Sequence, residues 1–481
     1  MPQRYVIHTR EAPHRARMPS RSGVIVTAEK CMGCVTCVKR RCIYGVYKKR
    51  GVDPKQMVDS TDTLCKDCFR CVQGCPRELY QKSINPEYSS LGDGYWKPEV
   101  ITRLWYLAET GRIPVSGAGY TGPFTGPGFD SIWTDMSEIV RPTRDGIHGR
   151  EYISTAVMIG RKPDRLEWTG EAEPIGSYPP QLDLPLPILF QPAPFGYYPK
   201  ETVLGLIEAA GRLGTVAVLP LEMTSRAHLS PATGAVAPRV TSDQHIEALA
   251  QSEAGRAARL VEVVYSGCAS TAGRIAHIAQ ALPEAVPGVF IPLHGEAAGE
   301  DFSQIVLESV RGGAGVIHLG ADIHGQASGP GRGEPVFIKD VIRQVHLCLV
   351  EHGIRDQVSV LASGGLAMAE HVAKAILCGV DAVVVDLPLL IALGCRVCRR
   401  CTRAIPCPAD IPGASKEWVA ARIVNLMGAW HNQLLEVMGA MGMREVQRSR
   451  GEIGRVMFFE ELDREIFSSL GRWSEHDYEL G

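Results

Sequence analysis

Eight cysteines between residues 31 and 75 constrain this chain more than any other feature, because they form two nearly identical runs. The runs read CMGCVTC and CKDCFRC, and each is followed by one further cysteine; the eight are Cys31, Cys34, Cys37, Cys42, Cys65, Cys68, Cys71 and Cys75. Two intervening residues let consecutive thiolates fold around one corner of an iron–sulfur cubane. Zinc usually takes cysteines in pairs, and disulfides belong to an oxidising compartment. The spacing therefore favours iron–sulfur ligands.

The two runs, the second of which ends in Cys75-Pro76, resemble the signature of a two-cluster ferredoxin module. By that resemblance one 4Fe–4S cluster would be held by Cys31, Cys34, Cys37 and Cys75, and the other by Cys65, Cys68, Cys71 and Cys42. A module of this kind moves electrons one at a time. Several Lys and Arg residues between the runs would form either a docking face for an acidic electron donor or a solvated loop that offsets the cluster charge.

Length and charge limit the remaining possibilities. A chain of 481 residues predicts two or three domains, and a formal charge of -2 gives no signal for nucleic acid as a partner. The N-terminus lacks an apolar core, and the longest apolar run, residues 382–394, is too short to insert into a membrane. With 15 cysteines and no export signal, we expect a reducing, cytoplasmic setting.

Composition divides the chain into five parts. We expect an N-terminal arm, a two-cluster ferredoxin domain, a linker region rich in Gly and Pro, a barrel, and a helical extension; their bounds are 1–21, 22–90, 91–185, 186–410 and 411–481. A stripe from Trp418 to Leu434 in the extension predicts a helix packed on the barrel or on a partner subunit.

From residue 186 onward, short β-branched runs alternate with amphipathic stretches. We predict eight strands at 187–191, 215–219, 238–241, 261–266, 288–293, 315–319, 358–362 and 382–386, the third of them weak. Helices are predicted at 200–212, 269–282, 302–311, 337–352 and 369–378. Eight alternations favour a TIM (β/α)8 barrel over a doubly wound sheet. The predicted fold is therefore an α/β barrel preceded by a small α+β two-cluster ferredoxin domain.

The seventh predicted strand runs into Ser363, Gly364, Gly365 and Leu366. In TIM barrels a phosphate commonly sits on the loops after strands seven and eight, where backbone amides at a helix N-terminus hold it. Two glycines let the backbone approach such a phosphate closely. The alternative is an ordinary tight turn from strand to helix.

A third cysteine run, C-x-x-C-x-x-C with a later Cys-Pro, follows the eighth predicted strand; its members are Cys395, Cys398, Cys401 and Cys407. This position lies at the mouth of a TIM barrel, where catalysis takes place. We therefore predict one further iron–sulfur cluster beside the phosphate-bearing cofactor.

Three stretches together resemble the glutamate synthase family, especially its archaeal-type large subunit. They are SEIVRPTRDGIHGREYIS at 137–154, SGGLAMAEHVAKA at 363–375, and the Leu393-Gly394-Cys395 stretch with Cys401 and Cys407. The resemblance implies that FMN is bound with its phosphate at Ser363 to Leu366. The family's barrel cluster has three irons on cysteines separated by five and then four residues. Here both gaps are five residues and Cys398 adds a possible fourth ligand, which favours 4Fe–4S over 3Fe–4S.

The barrel also departs from the family. A Gly-Glu-Gly-Gly loop is missing, a barrel lysine is replaced by Pro292, and a Gly-His-Asp-Gly-Gly-Thr-Gly loop is replaced by residues 320–331. These segments hold the flavin ring and the 2-oxoglutarate carboxylates in the family. If another substrate has replaced 2-oxoglutarate, the candidates for contacting it are Asp322, His324 and Arg332.

The resemblance implies an iron–sulfur flavoprotein oxidoreductase that passes electrons through FMN to a small acceptor, which in the family is the imine formed from 2-oxoglutarate and ammonia. The alternative is an electron-transfer subunit of a larger redox complex. We recognise no amidotransferase domain and no NAD(P)H site in the sequence. Ammonia is therefore expected from solution or a partner, and electrons from a donor protein or a separate flavoprotein subunit.

If Cys398 is the fourth ligand, the Cys398→Ala substitution should convert a four-iron cluster into a three-iron one. We expect the EPR signal of the oxidised protein to change accordingly. An unchanged spectrum would show that Cys398 is not a ligand.

Overall fold

The computed structural model describes residues 5–26, 34, 36–44, 59–60, 68–78, 80–113, 125–126, 128–135, 153–163, 165, 168–171, 178–226, 234–294, 302–327 and 334–459. Three residues singled out in the sequence, Cys31, Cys65 and Arg332, lie outside the described residues. So does most of the stretch at 137–154.

The N-terminal module contains a three-stranded antiparallel sheet. Its central strand, Ser22–Val26, pairs with Asp59–Ser60 on one side and Tyr80–Ile84 on the other. A π-helical turn at Thr36–Arg41 and a short helix at Arg70–Gln73 lie between the strands in sequence. This mixture of sheet and short helices agrees with the small α+β domain predicted from the cysteine runs.

A closed barrel of eight parallel strands forms the centre of the molecule. In chain order its strands are Ile188–Phe190, Ala217–Pro220, Val236–Val240, Leu260–Val264, Val286–Pro292, Val316–Gly320, Ser359–Ser363 and Ala382–Val385. Every strand pairs with its neighbours in sequence, and the last pairs with the first. The TIM barrel prediction is confirmed, including the weak third strand. Almost continuous burial of these runs is typical of parallel strands covered by helices.

Helices surround the barrel between its strands. The longer ones are Lys200–Leu213, Asp243–Gln251, Cys268–Ala281, Phe302–Arg311, Ile338–Glu351 and Ala369–Cys378. Five of these were predicted from periodicity, and two have the predicted bounds. Helix Asp243–Gln251 was not predicted; Ser242 caps it by accepting a hydrogen bond from the His245 amide. Among the described residues, no helix combines the length and the apolarity that crossing a bilayer requires.

The region between the module and the barrel carries structure of its own. Helix Pro98–Thr110 buries Leu104 and Trp105. Strand Ile132–Thr134 pairs with Val456–Phe458 near the end of the described chain. A hairpin of Val157–Gly160 and Gln181–Leu184 lies beside the start of the seventh barrel strand, where the Ser359 hydroxyl accepts a hydrogen bond from the Gly160 amide.

A 25-residue helix, Lys416–Ala440, which we call the terminal helix, packs on the first barrel helix and on Pro98–Thr110. Gly205 permits the close approach, since a Cβ there would lie 2.5 Å from the Cβ of Val419. The sequence predicted one apolar stripe, but the structure buries the helix nearly all round. Arg422 and Asn425 are therefore inside the protein, where their polar atoms need partners.

The N-terminal arm supplies some of those partners. Asn425 accepts a hydrogen bond from the Arg10 amide and donates to the carbonyls of Arg10 and Ala108. Arg422 donates to the Ala12 carbonyl at 2.6 Å. The arm is thus held along the terminal helix by hydrogen bonds from two buried side chains.

Asn425→Ala should loosen the arm, because it leaves several buried backbone groups without partners at about 1–3 kcal/mol each. We expect a lower thermal unfolding temperature and faster proteolysis of the arm. Asn432→Ala, on the exposed side of the same helix, is the matched control and should change neither. Equal proteolysis rates in both variants would contradict this role for Asn425.

Candidate active site at the barrel mouth

A cavity of about 850 Å³ lies at the carboxyl ends of the barrel strands. Ligand sites of TIM-barrel enzymes occupy this end, and the volume lies within the usual range for small-molecule sites. Its lining comes from several strands and the loops that follow them, and includes Gln191, Arg239, Phe290, Asp322, His324, Ser363, Asp386, Arg399 and Thr402. The turn after the seventh strand, the loop after the sixth strand and the loop that carries the third cysteine run therefore all contribute to one cavity.

A polar cluster occupies the barrel interior beside this cavity; we use that name for Arg239, Glu262, His318 and Ser363. Arg239 and Glu262 are register partners on adjacent strands. Nε and Nη2 of Arg239 donate to Glu262 Oε2 at 2.9 and 2.7 Å. Glu262 is fully buried, so its charge needs this cation.

His318 completes the cluster and is fully buried as well. Its Nδ1 lies 2.9 Å from Glu262 Oε1, and its Nε2 lies 2.9 Å from the Ser363 hydroxyl. Because a carboxylate only accepts, Nδ1 carries the proton and Ser363 donates to Nε2. Burial lowers the pKa of His318, so the ring stays neutral. Burial alone would raise the pKa of Glu262. The charges and hydrogen bonds of His318 and Arg239 have the larger effect and hold that pKa below its ordinary value.

Sequence reasoning missed this cluster. A signal was present, because Glu262 lies within an otherwise apolar strand and Arg239 within a short one. A charged residue at an inward position of a parallel strand must find a buried partner. The distance between the two along the chain hides that partner until the register is known.

The turn after the seventh strand, residues 363–366, is called the glycine turn here. Gly364 and Gly365 have φ of 98° and 67°, values that favour glycine. A Cβ added to Gly364 would collide with the Asp322 carbonyl oxygen, and one added to Gly365 would lie 2.7 Å from the Gly325 Cα. The loop after the sixth strand, residues 321–327, therefore packs directly on this turn.

The donors of the glycine turn suit an anion. Within the described residues, the backbone N–H groups of Gly364, Gly365 and Leu366 have no hydrogen-bond acceptor. They precede helix Ala369–Cys378, whose N-terminus adds a partial positive charge. Unpaired amides at a helix N-terminus are the donor set that binds phosphate in other proteins.

Two contacts from residues before the barrel hold the glycine turn in place. The Tyr95 hydroxyl donates to the Gly365 carbonyl at 2.5 Å. His371 accepts from the Ala367 amide through Nδ1 and donates to Asp130 through Nε2 at 2.9 Å. Burial would raise the pKa of Asp130, but the hydrogen bond from His371 helps to hold it well below its ordinary value.

The predicted contacts of the sixth-strand loop, residues 321–327, are engaged within the protein. Asp322 Oδ1 accepts from the amides of His324 and Gln326, which closes its own turn. His324 Nε2 lies 2.9 Å from Asp93 Oδ2. Both side chains line the cavity, and contact of either with a substrate stays a prediction.

The third cysteine run forms the barrel cysteine loop, residues 395–407. Cys395 is buried, and its sulfur accepts a hydrogen bond from the Val397 amide at 3.4 Å. The pKa of the Cys395 thiol is raised to about 12, mainly by burial. The thiols of Cys398, Cys407 and Cys401 contribute to this rise.

The backbone of this loop is unusual. Val397, Arg399 and Ala404 have φ of 56°, 52° and 56°, although none is glycine. Phe69 in the N-terminal module has φ of 57° and follows the middle cysteine of its run, just as Arg399 does. Within the described residues, no three Cys, His, Asp or Glu side chains gather as a metal site. Cluster ligation by either set of cysteines stays a prediction.

Comparison with known proteins supports the resemblance found in the sequence. Residues 294–444 match the model of the conserved region in glutamate synthase. The archaeal glutamate synthase [NADPH] of Archaeoglobus fulgidus is 26% identical over 487 residues, covering 88% of this chain and 91% of that protein. The archaeal-type glutamate synthase [NADPH] of Thermotoga maritima is 26% identical over 516 residues, covering 94% of each. The chain therefore resembles the glutamate synthase family over most of its length. It is accordingly a glutamate synthase-like oxidoreductase.

Solved structures similar to this chain include mandelate oxidase, at 15% identity and a TM-score of 0.38, covering 62% of this chain and 87% of that one. The family model covers four features described above: the sixth-strand loop, the glycine turn, the barrel cysteine loop and the terminal helix. The polar cluster extends beyond it, since Arg239 and Glu262 precede residue 294.

One further carboxyl in the cavity has an altered acidity. Burial raises the pKa of Asp386 to about 6. The pKa of Asp386 in the folded state therefore exceeds its unfolded value of about 3.9. Between these two pKa values the folded state binds more protons than the unfolded state, so the free energy of unfolding falls as the pH rises through this range. The penalty reaches its full size only when the pH lies well above the folded pKa.

Asp386→Asn should remove this penalty while still accepting the hydrogen bond from the Leu387 amide. We expect the variant to be more stable than the parent at pH 8, by at most about 3 kcal/mol, with a gain that shrinks towards pH 4. Thermal unfolding at pH 8 and pH 4.5 measures the difference. Asp183→Asn, at an exposed position, is the control. An equal gain at both pH values would contradict the assigned pKa.

Proposed function

We propose that this protein is an iron–sulfur flavoprotein that carries electrons from its N-terminal cysteine module, through the barrel cysteine loop and FMN, to a small-molecule acceptor. The family relationship suggests 2-oxoglutarate and ammonia as substrates, with glutamate as product. The observation that carries the proposal is the shared cavity: Ser363 of the glycine turn and Arg399 and Thr402 of the barrel cysteine loop line the same space. A cofactor there would lie beside the cysteines.

The residues at the mouth fit FMN. The three unpaired amides of the glycine turn would hold the phosphate, as argued above. FMN supplies the ability to accept electrons singly and deliver a hydride. Tyr95 and the Asp130–His371 pair hold the turn so that its amides stay aimed at one place. The volume of about 850 Å³ also leaves room for a small substrate.

The cysteine loops fit iron–sulfur clusters. In the barrel loop, four cysteines lie within residues 395–407, and left-handed backbone at Val397 and Arg399 turns the chain tightly between them. Left-handed conformations at non-glycine residues cost about 1–2 kcal/mol each, which a bound cluster would offset. On this basis Cys395, Cys398, Cys401 and Cys407 would hold a four-iron cluster, and the N-terminal cysteines two more.

Contacts of Arg396 join the barrel cysteine loop to residues at both ends of the module. Arg396 pairs with Glu87 at 2.6 Å and donates to the Arg17 carbonyl at 2.8 Å. Its own carbonyl accepts from the Gly92 amide at 3.1 Å. Because Arg396 lies between Cys395 and Cys398, these contacts fix the cysteine loop against the end of the module. Electron transfer between the two sets of cysteines requires that they be held in a fixed arrangement.

The proposal includes partners and a compartment. A donor protein or a separate flavoprotein subunit would deliver electrons to the module, in the reducing environment of the cytoplasm. The second candidate function is an electron-transfer subunit of a larger redox complex. It is favoured by the occupation of His324 with Asp93 and of Asp322 with its own turn, which leaves the replaced family loop engaged within the protein.

Anaerobic purification followed by cofactor analysis tests the cofactor proposal. We expect about twelve iron, about twelve sulfide and about one FMN per chain, because three four-iron clusters and one flavin are proposed. A colourless preparation without sulfide or flavin would overturn both candidate functions.

An assay with reduced viologen, 2-oxoglutarate and ammonia separates the two functions. Glutamate formation supports the enzyme, whereas clusters that are reduced without turnover support the relay. The Gly364→Ala variant is the matched control for flavin dependence, since its Cβ would collide with the Asp322 carbonyl oxygen at a positive φ. It should lose FMN and turnover while keeping its iron.

A further inference from the structure

We propose that Arg239 recognises a carboxylate of the small-molecule acceptor in the cavity at the barrel mouth. The inference deepens the proposed function, on which it rests, because it assigns the acceptor to a chemical class and gives it a binding residue. The polar cluster contains this arginine, and none of the sequence motifs discussed above includes it.

The argument begins with the hydrogen bonds of the guanidinium. Nε and Nη2 donate to Glu262, and Nη2 also lies 3.2 Å from Gln191 Oε1. Within the described residues, Nη1 has no hydrogen-bond partner. The side chain keeps 16% of its surface exposed, and the exposed part lines the cavity. Because Nη1 belongs to a side chain that lines the cavity, it is available to donate to a ligand there.

The arginine is also held rigidly. Its guanidinium carbon lies 3.7 Å from the centre of the Phe290 ring, which fixes the plane of the group. A guanidinium that is fixed on one edge presents its other edge in a defined direction, and the planar fork matches a carboxylate.

The charges around Arg239 favour a carboxylate rather than a neutral ligand. Glu262 shares its charge between Arg239 and the Nδ1–H of His318, so the carboxylate is not available to repel a second anion at full strength. Arg399, from the barrel cysteine loop, is a second cation that lines the same cavity. A cavity with two cations in its lining suits a ligand that has two acidic groups. Small 2-oxo dicarboxylates have this form.

Calorimetric titration of the anaerobically purified full-length protein with 2-oxoglutarate tests the inference, and it needs neither turnover nor a spectroscopic signal. We expect Arg239→Gln to weaken binding by roughly 10- to 100-fold, since hydrogen bonds to charged groups contribute about 1.5–3 kcal/mol. Arg239→Lys keeps the charge but not the fork, so an intermediate loss is expected.

Two further variants control for folding. Arg239→Gln leaves Glu262 buried without its cation, so the double variant Arg239→Gln with Glu262→Gln removes both charges together and is less prone to misfold. It should bind 2-oxoglutarate as weakly as the single variant. Arg212→Gln, which breaks an ion pair with Glu208 on the outer face of the first barrel helix, should bind like the parent.

Three results would overturn the inference. One is equal affinity in the parent and in the folded double variant. Another is a parent protein that binds none of 2-oxoglutarate, glutamate and oxalate. The third is unchanged affinity with a shifted flavin midpoint potential, which would assign Arg239 to the flavin. If 2-oxoglutarate binds through Arg239 but no glutamate forms, the proposed reaction fails and the inference stands.

Discussion

The buried charge of Glu262 is the constraint on which the centre of this molecule depends. A carboxylate with no exposed surface costs several kcal/mol unless cations and donors surround it, and here they come from other strands of the barrel. Arg239 comes from the third strand, His318 from the sixth and Ser363 from the seventh. The carboxylate is satisfied only when these strands are in register. Closure of the barrel and assembly of the polar cluster therefore depend on the same strand register.

The glycine turn shows the complementary requirement, because its amides can serve a ligand only if other groups hold the backbone. Asp130 and Tyr95 do this from sequence positions well before the barrel, through His371 and the Gly365 carbonyl. The sixth-strand loop packs against the same turn so closely that neither glycine has room for a Cβ. Residues outside the barrel are thus part of the site.

Sequence patterns predicted the barrel well because its strands are short β-branched runs whose burial is nearly complete. The same patterns did not predict helix Pro98–Thr110, since the glycines and prolines around it suggested a linker, and its partners Arg422 and Asn425 lie more than 300 residues later in sequence. Nor did they reveal the polar cluster, for periodicity treats a charged residue as exposed. Arg239 and Glu262 can be assigned to the interior only when strand register is known. The cysteine runs were the opposite case, because spacing along the chain is itself the signal.

The cysteine runs also provide an internal comparison. Phe69 and Arg399 each follow the middle cysteine of a C-x-x-C-x-x-C run, and both have left-handed backbone although neither is glycine. Left-handed residues of this kind persist only where the surroundings enforce them. Two runs that are separated by more than 300 residues share this feature, and the cysteine spacing is common to both. A chain that must return three thiols to one centre every third residue has to turn at that point. The shared turn is consistent with the proposal that both runs bind the same kind of ligand.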